Sequence, residues 1–115
     1  MKILVVEGNA LSREVLCSEL EQLRLAKDLR SAASVAAAEE ILASFIPDAM
    51  LIDLQLPDQG AFRLVDRSWD SGVPVIVCLT VFDHELLEVL SRCHVDYLVR
   101  PFSPGDLHYA VTQNR

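Results

Sequence analysis

Four polar residues stand at the ends of short apolar runs in this sequence and could do chemistry: Glu7, Asp53, Thr80 and Arg100. The run before Asp53 extends from Ala49 to Ile52, and Pro57 must lie outside the sheet because proline cannot donate to a sheet ladder. Asp53 is therefore predicted at the carboxyl edge of a central strand, where open α/β sheets bind ligands. A carboxylate there can hold a ligand or act as a nucleophile. The alternative is an aspartate that merely ends a strand and forms a turn.

The rest of the pattern predicts the elements that carry these residues. Short apolar runs predict five strands, at 2–6, 29–33, 49–53, 73–79 and 96–99. Helical spacing of apolar residues predicts five helices, at 10–25, 35–45, 61–68, 83–92 and from 103 onwards. Strands that alternate with helices predict a parallel sheet covered on both faces, with right-handed crossovers.

Helix starts and buried faces follow from the same pattern. Asn9, Ser34 and Asp83 are predicted N-caps, and Ser103 with Asp106 predicts a capping box at the last helix. The positions predicted to be buried in the first three helices are Leu11, Val15, Leu16, Leu20 and Leu23, then Ala38, Ile41, Leu42 and Phe45, then Phe62, Leu64 and Val65.

Composition limits the class of protein. The chain has 115 residues, is 51% hydrophobic and carries a net charge of −7, so we expect one domain over residues 1–115 and no nucleic-acid partner. Its apolar runs are too short to span a bilayer and no signal peptide opens it, which predicts no membrane association. Cys17, Cys78 and Cys93 are odd in number and far apart, as expected for reduced thiols in a cytoplasmic protein.

Four segments together resemble the receiver domain of bacterial two-component response regulators. They are Ile3-Leu4-Val5-Val6-Glu7, Leu51-Ile52-Asp53-Leu54-Gln55-Leu56-Pro57, Val75-Ile76-Val77-Cys78-Leu79-Thr80 and Tyr97-Leu98-Val99-Arg100-Pro101-Phe102. The resemblance covers nearly the whole chain. It implies a flavodoxin-like, doubly wound α/β fold with five parallel strands in the order 2-1-3-4-5 and five helices.

The resemblance also implies roles for individual residues. Asp53 matches the carboxylate that accepts a phosphoryl group from the phosphohistidine of a partner kinase. Thr80 matches the hydroxyl that binds the phosphoryl group, and Tyr97 matches the aromatic switch residue. Arg100 stands where the family has lysine. The family's partners are a histidine kinase and an output domain, and such a module is not an enzyme.

The resemblance places a Mg²⁺ site next to Asp53, but this chain departs from the pattern there. Glu7 and Gly8 stand where the family has two acids, and Gln55 stands where a backbone carbonyl completes the metal ligands. Gly8 has no side chain, and Arg100 is a planar fork suited to a bidentate carboxylate, unlike lysine. Mg²⁺ prefers oxygen ligands, so the loss of one carboxylate weakens its binding. We therefore predict weak or absent Mg²⁺ binding.

Two further departures lie close to the site. Val81 follows Thr80 where a small residue is usual, which would narrow the entrance. The loop near Gly60 is displaced by one residue from the family's Asp-Gly.

Three functions remain open on the sequence alone. The first is an atypical receiver, a protein-interaction module with impaired or absent Asp53 phosphorylation. The second is a working phosphoacceptor, and the distant third is a flavodoxin-like cofactor binder. A weak homodimer, or a partner docked on the same face, is also predicted, through the fourth helix, fifth strand and fifth helix. The residues presented there are Glu85, Glu88, Arg92, Asp96, Tyr97 and His108.

Overall fold

Five strands form one sheet in the computed structural model, which describes residues 1–79, 88, 90, 92 and 95–113. They are β1 (Lys2–Val6), β2 (Asp28–Ala32), β3 (Ala49–Asp53), β4 (Val75–Leu79) and β5 (Asp96–Val99). All neighbours are parallel and their order is β2-β1-β3-β4-β5. The predicted flavodoxin-like topology is confirmed.

The described residues contain four helices: α1 (Ala10–Gln22), α2 (Val35–Leu42), α3 (Ala61–Asp70) and α4 (Pro104–Gln113). The last of these, α4, is the fifth helix of the sequence prediction. The predicted fourth helix, at 83–92, falls mostly outside the described residues, and so does its predicted N-cap, Asp83. Within the described chain, no helix has the length and apolar character needed to cross a membrane.

Three helices begin as their caps predict. Asn9 and Ser34 each accept a hydrogen bond from the backbone amide three residues ahead, at 2.9 and 3.1 Å. The Ser103 hydroxyl accepts from the amide of Asp106 at 3.0 Å, and the Asp106 carboxylate accepts from the amide of Ser103 at 3.2 Å. This reciprocal pair is the predicted capping box, and it satisfies two donors at the start of α4.

Side chains of the central strands pack into two hydrophobic cores, one on each face of the sheet. In β1, Leu4 and Val6 pack in one core, whereas Ile3 and Val5 pack in the other. All five residues of β3 are buried, as expected for a strand covered on both faces. β3 is therefore held on both sides up to its last residue, Asp53.

Three helix ends differ from the predictions. α1 ends at Gln22, short of 25, because Arg24 adopts a left-handed φ of 56° that a helix cannot continue through. α2 ends at Leu42, short of 45, although Phe45 is buried as predicted. α3 continues past 68 to Asp70.

The prediction was wrong for three apolar side chains, which are exposed rather than buried. Leu11 and Val15 of α1 are 70% and 50% exposed, and Phe62 of α3 is 44% exposed. On α1 only Leu16 and Leu20 are buried, because a helix lying on a sheet covers a narrower strip than its whole apolar stripe. Leu11 and Val15 instead line an open cleft of about 450 Å³ beside the loop that follows β5.

Candidate functional site

Two buried carboxylates and one guanidinium meet at the carboxyl edge of the sheet. Val6 pairs with Ile52, so Glu7 and Asp53 follow at the ends of adjacent strands. Their residues are only 4% and 6% exposed. Arg100, just after β5, approaches both: its Nη2 lies 3.5 Å from Glu7 Oε2, and its Nη1 lies 3.9 Å from Asp53 Oδ2.

The position of Arg100 is set by its backbone. Its amide donates to the carbonyl of Leu79 at 2.8 Å, which extends the pairing of β4 and β5 by one residue. From there the guanidinium spans two acids, one nitrogen to each, instead of binding one carboxylate through both nitrogens as the sequence suggested. At 3.5 and 3.9 Å these contacts are ion pairs and not short hydrogen bonds. One cation thus compensates both buried carboxylates.

Glu7 has the less favourable environment for a negative charge. Burial raises the pKa of its carboxyl above the ordinary 4.5, repulsion from Asp53 raises it further, and Arg100 opposes the shift. Its Oε2 atom is buried without a hydrogen-bond partner, while Oε1 accepts only a long bond of 3.4 Å from the amide of Asn9. The folded protein therefore favours the protonated form of Glu7 more than the unfolded chain does.

Glu7→Gln tests this electrostatic picture through the pH dependence of stability. Because the pKa of Glu7 is raised on folding, stability is greatest below the ordinary pKa and falls as pH rises through the raised value. Glutamine mimics the neutral form at every pH. We expect a higher Tm than the native chain at pH 7.5 and a similar Tm near pH 4, measured by thermal unfolding. A lower Tm at pH 7.5 would mean that the Arg100 ion pair outweighs the cost of burial.

Asp53 has a second contact, made by the carboxylate oxygen that does not face Arg100. Its Oδ1 accepts a hydrogen bond from the backbone amide of Gln55 at 2.7 Å. Its other oxygen, Oδ2, is the one that faces Arg100. The carboxylate thus has one oxygen bound by its own loop and one turned towards the cation.

The position where the family carries a second acid is tightly packed. Gly8 has no left-handed φ. A Cβ atom added there would lie 3.2 Å from Pro57 Cδ and 3.6 Å from the carbonyl oxygens of Ala33 and Gln55. The carbonyl of Gln55, the predicted backbone ligand, therefore lies close to Gly8, and Gly8 contributes no side chain beside it.

These residues fit a divalent metal ion poorly. Over the residues that the structure describes, no group of three or more His, Cys, Asp or Glu side chains could hold one. The acids available are Glu7 and Asp53, and the guanidinium of Arg100 already supplies positive charge to both. Mg²⁺ also needs near-octahedral oxygen ligands, and a positively charged group so close opposes its binding.

Of the two remaining switch candidates, Tyr97 and Thr80, only Tyr97 lies among the described residues. Tyr97 lies on β5, 43% exposed, and lines a cleft of about 600 Å³ together with Tyr109 of α4. Thr80 and Val81 fall outside the described residues.

Cys78, which pairs with Asp53 in the sheet, is buried, and burial raises the pKa of its thiol to about 12.

Two polar contacts at this edge of the sheet were missed from the sequence. The Arg13 guanidinium donates to the Glu7 carbonyl at 2.9 Å, which ties α1 to the end of β1. Asp58 binds the first turn of α2, far away along the chain. An arginine near the start of the helix that follows a strand is a weak sequence signal for the Arg13 contact. No local sequence pattern predicts the contact of Asp58 with α2.

Comparisons with known proteins agree on one family. A family model described as "Response regulator receiver domain" matches residues 3–112. The virulence transcriptional regulatory protein PhoP of Salmonella typhimurium is 37% identical over 110 residues, which cover 89% of this chain and 46% of that protein. The transcriptional regulatory protein PhoP of Escherichia coli is 36% identical over 106 residues, with the same two coverages. The chain thus spans about half the length of these relatives.

Solved structures show the same fold. The receiver domain of the Francisella response regulator 1452 superposes with a TM-score of 0.83 at 21% identity, over 97% of this chain and 93% of that one. The signal receiver domain of a DNA-binding response regulator from Colwellia psychrerythraea gives 0.88 at 18% identity, over 98% and 96%. At these identities the similarity concerns the fold alone.

Proposed function

The chain belongs to the response regulator receiver family, and we propose that it is an atypical member in which Mg²⁺-dependent phosphorylation of Asp53 is impaired or absent. Receiver domains are signalling modules of two-component systems, and their partners are histidine kinases and output domains. This one would act in the cytoplasm as a protein-interaction module and not as an enzyme. Because the chain matches the receiver family, we do not propose the flavodoxin-like cofactor binder as its function.

One observation carries the proposal: the guanidinium of Arg100 lies within 4 Å of both carboxylates at the site. In phosphoryl transfer, a divalent cation reduces the repulsion between the nucleophilic carboxylate and the phosphoryl oxygens and aligns the two. Arg100 supplies a single charge, and it is engaged with Glu7 as well as Asp53. Without an acid at Gly8, nothing in the described site adds the third carboxylate that would favour a divalent ion over the guanidinium.

Calorimetry with Mg²⁺ tests the proposal on the native chain. Receiver domains generally bind Mg²⁺ at the phosphorylation site. Because this site offers two acids that share Arg100, we expect no saturable heat of binding at millimolar Mg²⁺. A one-site isotherm in that range that is lost in Asp53→Asn would overturn the proposal and support a working site.

The second candidate is a working phosphoacceptor, and the geometry of Asp53 favours it. Its carboxylate stands at the carboxyl end of the central strand, with Oδ1 bound by the Gln55 amide at 2.7 Å and Oδ2 on the side of Arg100. The similarity to PhoP regulators is consistent with it. In this case Glu7, water and the Gln55 carbonyl would suffice for a weakened Mg²⁺ site.

We further propose that the chain forms a weak homodimer through the face made by the predicted fourth helix, β5 and α4. In its described part, Asp96 and His108 are exposed and Tyr97 opens into the cleft shared with α4. Glu88 and Arg92 are also exposed, but they pair with each other at 3.0 Å, so less of their charge is available to a partner. Glu85 lies outside the described residues. Mixed charge around an aromatic residue suits a two-fold contact, where each patch meets its own copy.

Sedimentation equilibrium checks this proposal with a matched pair of variants. Tyr97 and Phe62 are exposed to nearly the same extent, 43% and 44%, but lie on β5 and α3 respectively. We expect concentration-dependent self-association of the native chain, weakened by Tyr97→Ala and unchanged by Phe62→Ala. A monomer at every concentration, with kinase and output partners indifferent to Tyr97→Ala, would refute the proposed interface.

A further inference from the structure

The loop at residues 54–60, which leads from Asp53 to α3, is attached to a second element. The two oxygens of Asp58 accept hydrogen bonds from the backbone amides of Val35 and Ala36, each at 3.0 Å. These are the first two residues of α2, and Ser34 accepts from the third at 3.1 Å. The first turn of a helix leaves its amides without intrahelical partners. Here two of those amides are satisfied by a carboxylate 22 and 23 residues away along the chain.

Packing supports the same attachment independently of the hydrogen bonds. A Cβ atom at Gly60 would lie 3.2 Å from Val35 Cγ1 and 3.3 Å from Val35 Cγ2, so the loop backbone approaches α2 closely. Gln59, between the two, has a left-handed φ of 53°. On its other side the loop packs through Pro57, whose Cδ would be 3.2 Å from a Cβ at Gly8. The loop is therefore fixed between α2 and the end of β1.

Asp58 carries its charge under ordinary conditions. The two backbone hydrogen bonds lower the pKa of its carboxyl below the usual 3.8. An anion at a helix N-terminus also interacts favourably with the helix dipole. The attachment therefore persists at neutral pH and weakens only when the pH falls through the lowered pKa.

The same loop holds the phosphoacceptor candidate at its other end. The amide of Gln55 donates to Asp53 Oδ1 at 2.7 Å, and this leaves Oδ2 on the side of Arg100. The direction of that amide is a property of the loop backbone. Leu56 is buried in the core and Pro57 packs near Gly8, so a loop released from α2 would lose one of the restraints that keep the Gln55 amide pointed at Asp53.

We propose that Asp58 is a positioning residue: by fastening the loop at 54–60 to the first turn of α2, it orients the carboxylate of Asp53 between the Gln55 amide and Arg100. Asp58 does not touch the site itself and acts through the loop. The proposal concerns the geometry of Asp53 and is independent of whether Asp53 accepts a phosphoryl group. The proposal also couples α2 to the site. A change that breaks the hydrogen bonds between Asp58 and the first turn of α2 would loosen the Gln55 amide that binds the Asp53 carboxylate.

Hydrogen exchange of the Gln55 amide separates this role from ordinary helix capping. Asp58→Ala and Ser34→Ala both remove caps of α2, but only the first releases the loop. We expect Asp58→Ala to speed exchange at Gln55 by roughly tenfold at pH 7 relative to Ser34→Ala, as for a local opening. The ¹³C resonance of the Asp53 side-chain carboxyl, assigned with Asp53→Asn, should shift in Asp58→Ala and stay in place in Ser34→Ala.

Asp58→Asn keeps the test informative if the alanine variant fails to fold. Its side chain retains one acceptor oxygen, so we expect exchange at Gln55 between that of the native chain and that expected for full release. Equal effects of the Asp58 and Ser34 variants on both readouts would show that Asp58 only caps α2 and would overturn the proposal. The proposal would also be overturned if Asp58→Asn lost its hydrogen bonds to α2 while exchange at the Gln55 amide and the Asp53 resonance stayed unchanged. Neither result depends on Mg²⁺ or phosphorylation, so failure here leaves the proposed function standing.

Discussion

Replacing Arg100 with methionine is expected to lower the free energy of unfolding at pH 7 by on the order of 3 kcal/mol, because it leaves two buried carboxylates without their cation. The side chain of Arg100 is only 18% exposed, and those of Glu7 and Asp53 are 6% and 7% exposed, so solvent screens these pairs little. The loss should shrink as the pH falls and Glu7, whose pKa is raised by burial, becomes neutral. Urea unfolding at pH 7 and pH 4 measures both effects.

Arg92→Met is the matched control for that experiment. Arg92 also pairs with a glutamate, but the two side chains are 75% and 68% exposed, and exposed pairs one helical turn apart contribute only about 0.3–0.5 kcal/mol. We further expect millimolar Mg²⁺ to stabilise Arg100→Met and to leave the native chain unchanged, since the ion would take over the missing charge. Equal losses in the Arg100 and Arg92 variants would show that Arg100 does not compensate the buried acids.

The double change Gly8→Asp with Arg100→Lys is expected to create Mg²⁺-dependent labelling of Asp53 by acetyl phosphate. The new aspartate supplies a third carboxylate, and lysine has a compact ammonium instead of a fork that spans two acids. Gly8 has no left-handed φ, so the backbone accepts a side chain once Pro57 Cδ moves by a few tenths of an ångström. Even outer-shell changes alter metal affinity by about 10- to 100-fold, so we expect the labelling rate to rise roughly tenfold or more.

Two controls make the rescue specific. Asp53→Asn in the double variant should abolish the labelling. Gly105→Asp adds the same charge at an open position of α4, where a Cβ meets only Ser103 Oγ at 3.6 Å, and it should have no effect. A folded double variant that takes no label would place the lesion elsewhere, with Val81 the next residue to change.

The sequence predicted the fold and the location of the site because both depend on patterns that repeat along the chain. Asp53 was placed correctly at the end of a buried strand because prolines bound a short apolar run. The strand order 2-1-3-4-5, which the resemblance implied, then places β1 beside β3, so that Glu7 and Asp53 lie side by side. The capping box of Ser103 and Asp106 was predicted for the same reason, since its partners are three residues apart.

What the sequence did not predict depends on side-chain direction and on contacts between distant segments. Whether Arg100 binds one acid or spans two depends on where its backbone leaves β5, which no spacing reveals. Asp58 caps a helix more than twenty residues before it, so local rules for helix caps could not find it. Leu11 and Val15 are exposed because the sheet covers only part of the apolar face of α1, a limit set by packing and not by periodicity.

Acetyl-phosphate labelling of the native chain in Mg²⁺, followed by intact mass spectrometry, tests the central claim most directly. If Arg100 occupies the two carboxylates and Gly8 leaves the metal without its third acid, little or no phosphoryl group will be found, and Asp53→Asn will look the same. Efficient, Mg²⁺-dependent labelling of the native chain that disappears in Asp53→Asn would contradict the account, because Glu7 and Arg100 would then suffice for an ordinary phosphorylation switch.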